Sequence, residues 1–149
     1  MKWVMCDLDG TLLDFVLNEG DSLAEKRKKL INAIAYPCHN YFKILIEHDY
    51  RIAIVTGRAN SDYGDITEAW LNKYCILHDA LIMLSSPWKS RQEYYLYKSN
   101  VLESLQPRLV IDDDLRFLLM ACQRGYTTIS IENRSSWFTF THPALIELV

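Results

Sequence analysis

Five short apolar runs, Lys2–Cys6, Arg51–Val55, Ala80–Leu84, Arg108–Ile111 and Thr127–Ile131, are separated by longer amphipathic segments. Runs this brief and rich in Val, Ile or similar residues read as strands, and the stretches between them are long enough for helices. The alternation predicts an α/β fold, with a mostly parallel sheet covered by helices on both faces. Between the first two runs, Ser22 and Glu25 form a capping box for a helix carrying Leu23, Leu30 and Ile34 on one side. Pro37 opens a second helix that runs through about His48. Ile66–Tyr74, Tyr94–Leu105 and Leu115–Arg124 are the remaining helices, the last closed by Gly125 in a C-cap position. No internal repeat, low-complexity tract or linker interrupts the pattern, so residues 1–149 are expected to form one domain.

Composition excludes several function classes. Half the residues are apolar and 23% are charged, the balance of one soluble globular domain. A net charge of −3 and an isoelectric point near 5.8 argue against a surface that captures nucleic acid or anionic lipid as a whole, though a local basic groove is compatible with both. No apolar run is long enough to cross a bilayer, and Trp3-Val4-Met5-Cys6 is stopped at once by Asp7. The expectation is therefore no signal peptide, no anchor and no membrane partner. Cys6, Cys38, Cys75 and Cys122 are scattered and form no Cys-x-x-Cys pair. They read as buried thiols in a reducing compartment, hence a cytoplasmic protein.

In parallel α/β sheets ligands bind at the carboxyl ends of the strands, so the residues just after each run carry the functional information. The first run is followed by Asp7-Leu8-Asp9-Gly10-Thr11. Two carboxylates two residues apart at a strand end can face one small volume, and Gly10 permits a sharp turn around a ligand. Asp7, nearer the sheet, suits a nucleophile or metal ligand; Asp9, further out, can protonate a leaving group and then activate water. The fourth run ends in Asp112-Asp113-Asp114 and, in a parallel sheet, can lie beside the first. Two unit charges about 4 Å apart at an effective dielectric near 20 repel by roughly 4 kcal/mol, so such a cluster calls for a cation. All-oxygen ligands point to Mg²⁺, with Asp112 or Asp113 as a ligand and one of the three aspartates capping the next helix.

The second run ends in Thr56-Gly57-Arg58, a hydroxyl and a flexible turn whose N–H groups can hold an anion, followed by a guanidinium able to clamp phosphate or to sit in solvent. A lysine upstream of the acidic run can neutralise charge on a transferring group. Of Lys89 and Lys98, Lys98 is favoured, because it opens an amphipathic segment with Val101, Leu102 and Leu105 that leads into the fourth strand.

With these four elements in order, the sequence resembles the haloacid-dehalogenase-like superfamily of phosphotransferases, on Asp7-x-Asp9-Gly10-Thr11, Thr56-Gly57-Arg58, Lys98 and Asp112-Asp113. The resemblance extends from Trp3 to Ile131. It implies a Rossmann-like three-layer sandwich with the first strand central and an aspartyl-phosphate mechanism assisted by Mg²⁺. Asp7 would attack phosphorus and Asp9 would act as acid and then base. Mg²⁺ would be held by the Asp7 carboxylate, the Asp9 backbone carbonyl and Asp112 or Asp113, while Thr56 and Lys98 would hold the phosphoryl oxygens. Asp9 favours phosphatase over dehalogenase chemistry, since a halide leaving group needs no proton. From Ile54 onward the chain is most similar to the 3′-phosphatase domain of phage polynucleotide kinases, in its Gly-Arg after the second strand, Met83 in the third, an Arg-containing loop, then Lys and Ile-Asp-Asp. Where that family places Arg directly after the paired aspartates, this chain has Asp114, with Arg116 two residues later. No Gly-x-x-x-x-Gly-Lys loop is present, so this chain carries no kinase half.

Only 44 residues separate Thr11 from Thr56, so any lid is at most one short helix plus a loop, and the site is expected to be open. Open sites in this superfamily imply macromolecular substrates or a borrowed lid. A polynucleotide terminal phosphate is the leading substrate, with nucleotides or other small phosphomonoesters as the alternative and a non-catalytic binding module as a more distant one. Lys26-Arg27-Lys28-Lys29 is either a polyanion path or a solvated helix surface. Trp88, Tyr94, Tyr95 and Tyr97, near Lys89 and Arg91, either stack bases beside phosphates or pack structurally. In the final segment, Trp137, Phe138 and Phe140 form an apolar cluster that packs back on the sheet or makes a subunit contact.

Overall fold

The strands fall where short β-forming runs can be buried on both faces. A computed structural model describes residues 1–131, and the expectation for Trp137, Phe138 and Phe140 lies outside those residues. Strands β1 (Lys2–Cys6), β2 (Tyr50–Ala59), β3 (Ala80–Leu84), β4 (Leu109–Asp112) and β5 (Thr128–Ser130) form one sheet in the order β3-β2-β1-β4-β5. Every pairing is parallel, and β1 is central. The chain winds outward from β1 to β3, then crosses back to place β4 on the other side of β1. This reversal opens a crevice at the carboxyl end of the central strand.

Alternation along β1 divides the core into two layers. Val4 and Cys6 pack with Ile52, Ile54, Ile111 and Ile129 against α1 (Leu23–Asn32), α2 (Phe42–Glu47) and α3 (Asn60–Lys73), whose Leu30, Phe42, Leu45, Trp70 and Leu71 fill that face. Met5, Ala53 and Val110 face α4 (Arg91–Leu105) and α5 (Leu115–Gln123) through Leu102, Phe117, Leu118 and Ala121. The result is the expected three-layer sandwich with β1 in the middle.

Helix ends follow local capping chemistry. Ser22 Oγ accepts the Glu25 N–H at 3.2 Å, and Ser90 Oγ accepts the Glu93 N–H at 3.2 Å. Gly125, at φ 91°, closes α5 in a Schellman arrangement, its N–H bonding the Cys122 carbonyl while the Tyr126 N–H bonds that of Ala121.

Several sequence expectations are corrected. Leu30 alone of the three apolar residues assigned to the first helix is buried: Leu23 is 46% exposed and Ile34 77%. The helix ends at Asn32, and Ala33 is already extended at ψ 142°, which breaks the phase that would have aligned Ile34 with Leu30. The Pro37 segment begins as a 3₁₀ turn over Pro37–Tyr41 before α2. Helix α3 begins at Asn60, ahead of Ile66, because its first turns are polar and leave no apolar period to read. Strand β2 continues past Val55 to Ala59. Cys6 and Cys38 are buried, but Cys75 and Cys122 are exposed, Cys75 in a left-handed turn just after α3 and Cys122 on the outer face of α5.

Trp70 is fully buried and donates its indole N–H to the Ala33 carbonyl at 2.7 Å, tying α3 to the end of α1. We expect Trp70→Ala to destabilise the fold by about 3–5 kcal/mol. Trp70→Phe, which leaves the Ala33 carbonyl unpaired, should cost about 1–3 kcal/mol. Urea denaturation reads both.

Candidate active site

The ends of β1, β2 and β4 deliver the side chains of the crevice, and a bulge aims one of them. Val55 pairs with Ile82 and Ala59 with Leu84, so β2 carries extra residues against β3, and the register shift falls on Thr56-Gly57-Arg58. Within the bulge the Thr56 hydroxyl accepts the Arg58 N–H at 3.2 Å, a local cap. The Thr56 carbonyl accepts the Tyr97 hydroxyl at 2.9 Å, and that hydroxyl also reaches the Ile82 carbonyl at 3.1 Å, so α4 braces the bulge. Glycine is required at 57, since a Cβ there would lie 2.5 Å from the Tyr94 ring.

Lys98 occupies the centre. Its side chain is fully buried, and its ammonium lies 3.1 Å from Asp7 Oδ1 and 2.5 Å from Asp112 Oδ2. Helix α4 carries it there on the face that also buries Ser99 and Leu102. The competing Lys89 remains exposed in the preceding loop. The other oxygen of Asp112 accepts the Asp114 N–H at 2.9 Å. Asp114 itself caps α5, as expected of one member of the acidic run, by accepting the Arg116 and Phe117 N–H groups. Asp113 leans over the β1 turn: its Oδ1 accepts the Thr11 hydroxyl at 3.1 Å, and a Cβ on Gly10 would lie 2.3 Å from its Oδ2. Gly10 also sits at φ 83°, so glycine is required there twice over. The same Thr11 hydroxyl lies 3.4 Å from Asp7 Oδ2.

The electrostatics record an excess of negative charge. Burial, then the Asp112 carboxylate, push the Asp7 carboxyl well above the usual carboxylate range, against the opposing pull of Lys98. Burial raises Asp112 as well, again opposed by Lys98. Burial disfavours charge on Lys98, but the Asp7 and Asp112 carboxylates outweigh it and hold the ammonium protonated. One ammonium among three carboxylates leaves the cluster short of positive charge.

Asp9 faces elsewhere. Its Oδ2 and Oδ1 accept Arg58 Nε at 2.9 Å and Nη2 at 2.7 Å, a bidentate fork, while Arg58 Nη1 donates to the Thr67 hydroxyl at 2.9 Å. Arg58 is 6% exposed, so its guanidinium grips Asp9 and α3, where the sequence left open a phosphate clamp or a solvated side chain. Sequence reasoning missed this pair, along with the Thr11 hydroxyl between Asp7 and Asp113 and the Tyr97 brace. A threonine directly after an Asp-Gly turn was the one available signal, because hydroxyls in such turns seek local acceptors.

No family model matches the sequence, and no curated protein matches it. Among solved structures, a chain of the Pnkp1/Rnl/Hen1 RNA repair complex superposes with a TM-score of 0.68 at 25% identity, over 87% of this chain and 42% of that one. A haloacid dehalogenase-like family hydrolase from Streptococcus pneumoniae matches at TM-score 0.56 and 16% identity, over 99% of this chain and 90% of its own. A HAD-superfamily hydrolase from Geobacter sulfurreducens PCA matches at TM-score 0.52 and 13% identity, over 93% and 95%. The chain shares the fold of these haloacid-dehalogenase-like hydrolases. It spans less than half the length of the repair-complex chain.

In this haloacid-dehalogenase-like fold the strand ends border a cleft of about 870 Å³, lined by Asp7, Asp9, Thr56, Arg58, Asp112 and Asp113 together with Lys26, Trp88 and Arg91. Among the described residues no lid domain is inserted: residues 14–22 form a loop, and α1 lies against α3, where Arg27 pairs with Asp65 at 2.7 Å. Of the basic run, Lys29 pairs with Asp21 at 2.6 Å and Lys28 is exposed, which leaves Lys26 as the member at the cleft. Among the described residues, no helix is long and apolar enough to cross a membrane.

Asp7, Asp112 and Asp113 each offer an oxygen, all within 4.8 Å of one another. A hard divalent cation fits this donor set and would supply the missing positive charge. We expect Mg²⁺ at a hundredfold excess over its dissociation constant to stabilise the fold by about 2.7 kcal/mol. Asp112→Asn combined with Asp113→Asn should abolish that increment, as read by thermal denaturation with Mg²⁺ or EDTA.

Proposed function

We propose that the chain is a Mg²⁺-dependent phosphomonoester hydrolase that forms an aspartyl-phosphate on Asp7 and removes a terminal 3′-phosphate from a polynucleotide in the cytoplasm. The observation that carries the chemistry is the burial of Lys98 between Asp7 and Asp112, with Asp113 beside them. A phosphomonoester dianion cannot approach a carboxylate nucleophile unless nearby cations offset the repulsion. Lys98 holds one oxygen of Asp7 in place, and its buried charge acts in a low dielectric, where it is worth most. Mg²⁺, when bound, adds positive charge at the same carboxylates and neutralises the phosphoryl oxygens.

In the first step a carboxylate oxygen of Asp7 attacks phosphorus, the ester P–O bond breaks, and Asp9, with one oxygen released from the Arg58 fork to carry a proton, donates that proton to the departing alcohol oxygen. In the second, Asp9 takes a proton from water, the water oxygen attacks phosphorus, and the acyl phosphate releases inorganic phosphate and free Asp7. The Thr56 hydroxyl, in the braced bulge that lines the cleft, would donate to a phosphoryl oxygen, with Gly57 beside it. Arg58 contributes as a positioning residue, its fork setting the direction of Asp9.

The polynucleotide substrate is supported by the likeness to the RNA repair complex chain, at 25% identity, and by a cleft over which no lid is inserted among the described residues. Nucleotides and smaller phosphomonoesters are the competing substrates.

The test is phosphate release from a 3′-phosphorylated oligonucleotide and from glycerol phosphate, with Mg²⁺ or EDTA. We expect release that needs Mg²⁺, strongly favours the oligonucleotide and falls to background in Asp7→Asn. Equal rates on the two substrates would refute the polynucleotide assignment, and release that survives Asp7→Asn would refute the mechanism. Asp9→Asn should lower kcat by roughly 10²–10⁴-fold. Arg58→Lys should lower kcat by a smaller factor while KM stays within about twofold, because lysine cannot reproduce the bidentate hold on Asp9.

A further inference from the structure

Four aromatic residues cluster after β3, and the structure divides them by what they do. Tyr97 is committed to the β2 bulge and to β3 through the Thr56 and Ile82 carbonyls, and Tyr95 donates to Asp114 Oδ2 at 2.8 Å. Both also pack against the core layer under α4 and α5. Trp88 and Tyr94 belong to neither core layer among the described residues, and both line the cleft.

Tyr94 stands against the chemistry. Its ring edge would lie 2.5 Å from a Cβ on Gly57, and the Lys98 ammonium is 5.3 Å from its ring centroid. Trp88 stands one step further out, its ring centroid 5.5 Å from that of Tyr94 at an interplanar angle of 42°, and its Nε1 would lie 3.4 Å from the same Gly57 Cβ. It is nonetheless 42% exposed. An indole that lines the cleft beside Gly57, in tilted contact with a second ring and still part-exposed, offers aromatic surface next to the residue that follows Thr56.

We propose that Trp88, backed by Tyr94, is the platform on which the base of the 3′-terminal, phosphate-bearing nucleotide stacks. This inference rests on the polynucleotide phosphatase reading above and names the residue that would recognise the nucleotide. Stacking tolerates every base, because each has a π-face, so recognition of an end of any sequence follows. Lys26 and Arg91 line the same cleft and supply charge for the further phosphates of a strand.

Two 3′-phosphorylated oligonucleotides of one sequence, differing only in whether the terminal nucleotide carries a base or is abasic, test the platform. Wild type should prefer the base-bearing substrate in kcat/KM by roughly 5- to 150-fold. Trp88→Ala should lose most of that preference, slowing the base-bearing substrate far more than the abasic one, and Trp88→Phe should restore much of it. Equal wild-type rates on the two substrates would overturn the proposal without reference to any variant, and so would a Trp88→Ala that slows both by the same factor at an unchanged melting temperature. Absence of phosphate release from both by wild type would instead refute the phosphatase reading. Titration of Asp7→Asn with the same pair, followed by tryptophan fluorescence, then decides the platform separately, since equal affinities and no quenching attributable to Trp88 would overturn it.

Discussion

One buried ammonium among three carboxylates is the constraint on which the rest of this structure depends. Lys98 is fully buried, and stripping it of both Asp7 and Asp112 would leave an unpaired charge in the interior, at a cost of about 3–5 kcal/mol. The three residues come from α4, β1 and β4, so their contact can form only when the sheet has closed in the order that sets β4 beside β1 and when α4 lies over both. Asp113 then adds a charge the lysine cannot offset. A fold stabilised by core packing on both faces of its sheet is thus asked to hold one region at its crevice in which like charges outnumber unlike ones, and that imbalance is what a bound cation would offset.

The architecture was largely legible in the residues, for a physical reason. Parallel strands buried on both faces must be short apolar runs, and the crossovers between them must be long, so Lys2–Cys6 and Ala80–Leu84 stand out from sequence with the boundaries the structure gives them. The carboxylates were legible because they directly follow those runs, and topology brings strand ends together. Lys98 was legible because it opens an amphipathic segment, with Val101, Leu102 and Leu105, that leads into the fourth strand. Elements governed by local geometry were harder to see. Ile34 matched the spacing of Leu30, but the helix had already ended, and backbone termination leaves no mark on hydrophobic periodicity. The polar opening of α3 hid its first turns in the same way, and Cys75 and Cys122 show that an apolar sequence neighbourhood does not determine which side of a helix end faces water.

The partner of Arg58 was not legible at all. Residues 9 and 58 belong to different strand ends, and a guanidinium beside a glycine in a presumed phosphate loop carries the same sequence signature whether it grips an anion from outside or a carboxylate of the protein. What decides between them is the bulge in β2. By adding residues between Val55 and Ala59, it draws Arg58 inward, where Thr67 of α3 takes one nitrogen and Asp9 takes two. The bulge thereby does two jobs at once: it lifts Thr56 and Gly57 toward the crevice and turns Arg58 toward Asp9.

The same bulge connects the chemistry to the open side of the cleft. Tyr97 holds it from beneath, through the Thr56 carbonyl, while the ring of Tyr94 closes over Gly57 from above. Both rings stand on the helix that carries Lys98. A single element therefore sets the depth of the ammonium between the carboxylates, the height of the bulge and one wall of the cleft. Among the described residues no lid is inserted over the cleft, so on the proposed function the wall that reaches from Lys98 through Tyr94 to Trp88 would be the surface that reads what is attached to the phosphate.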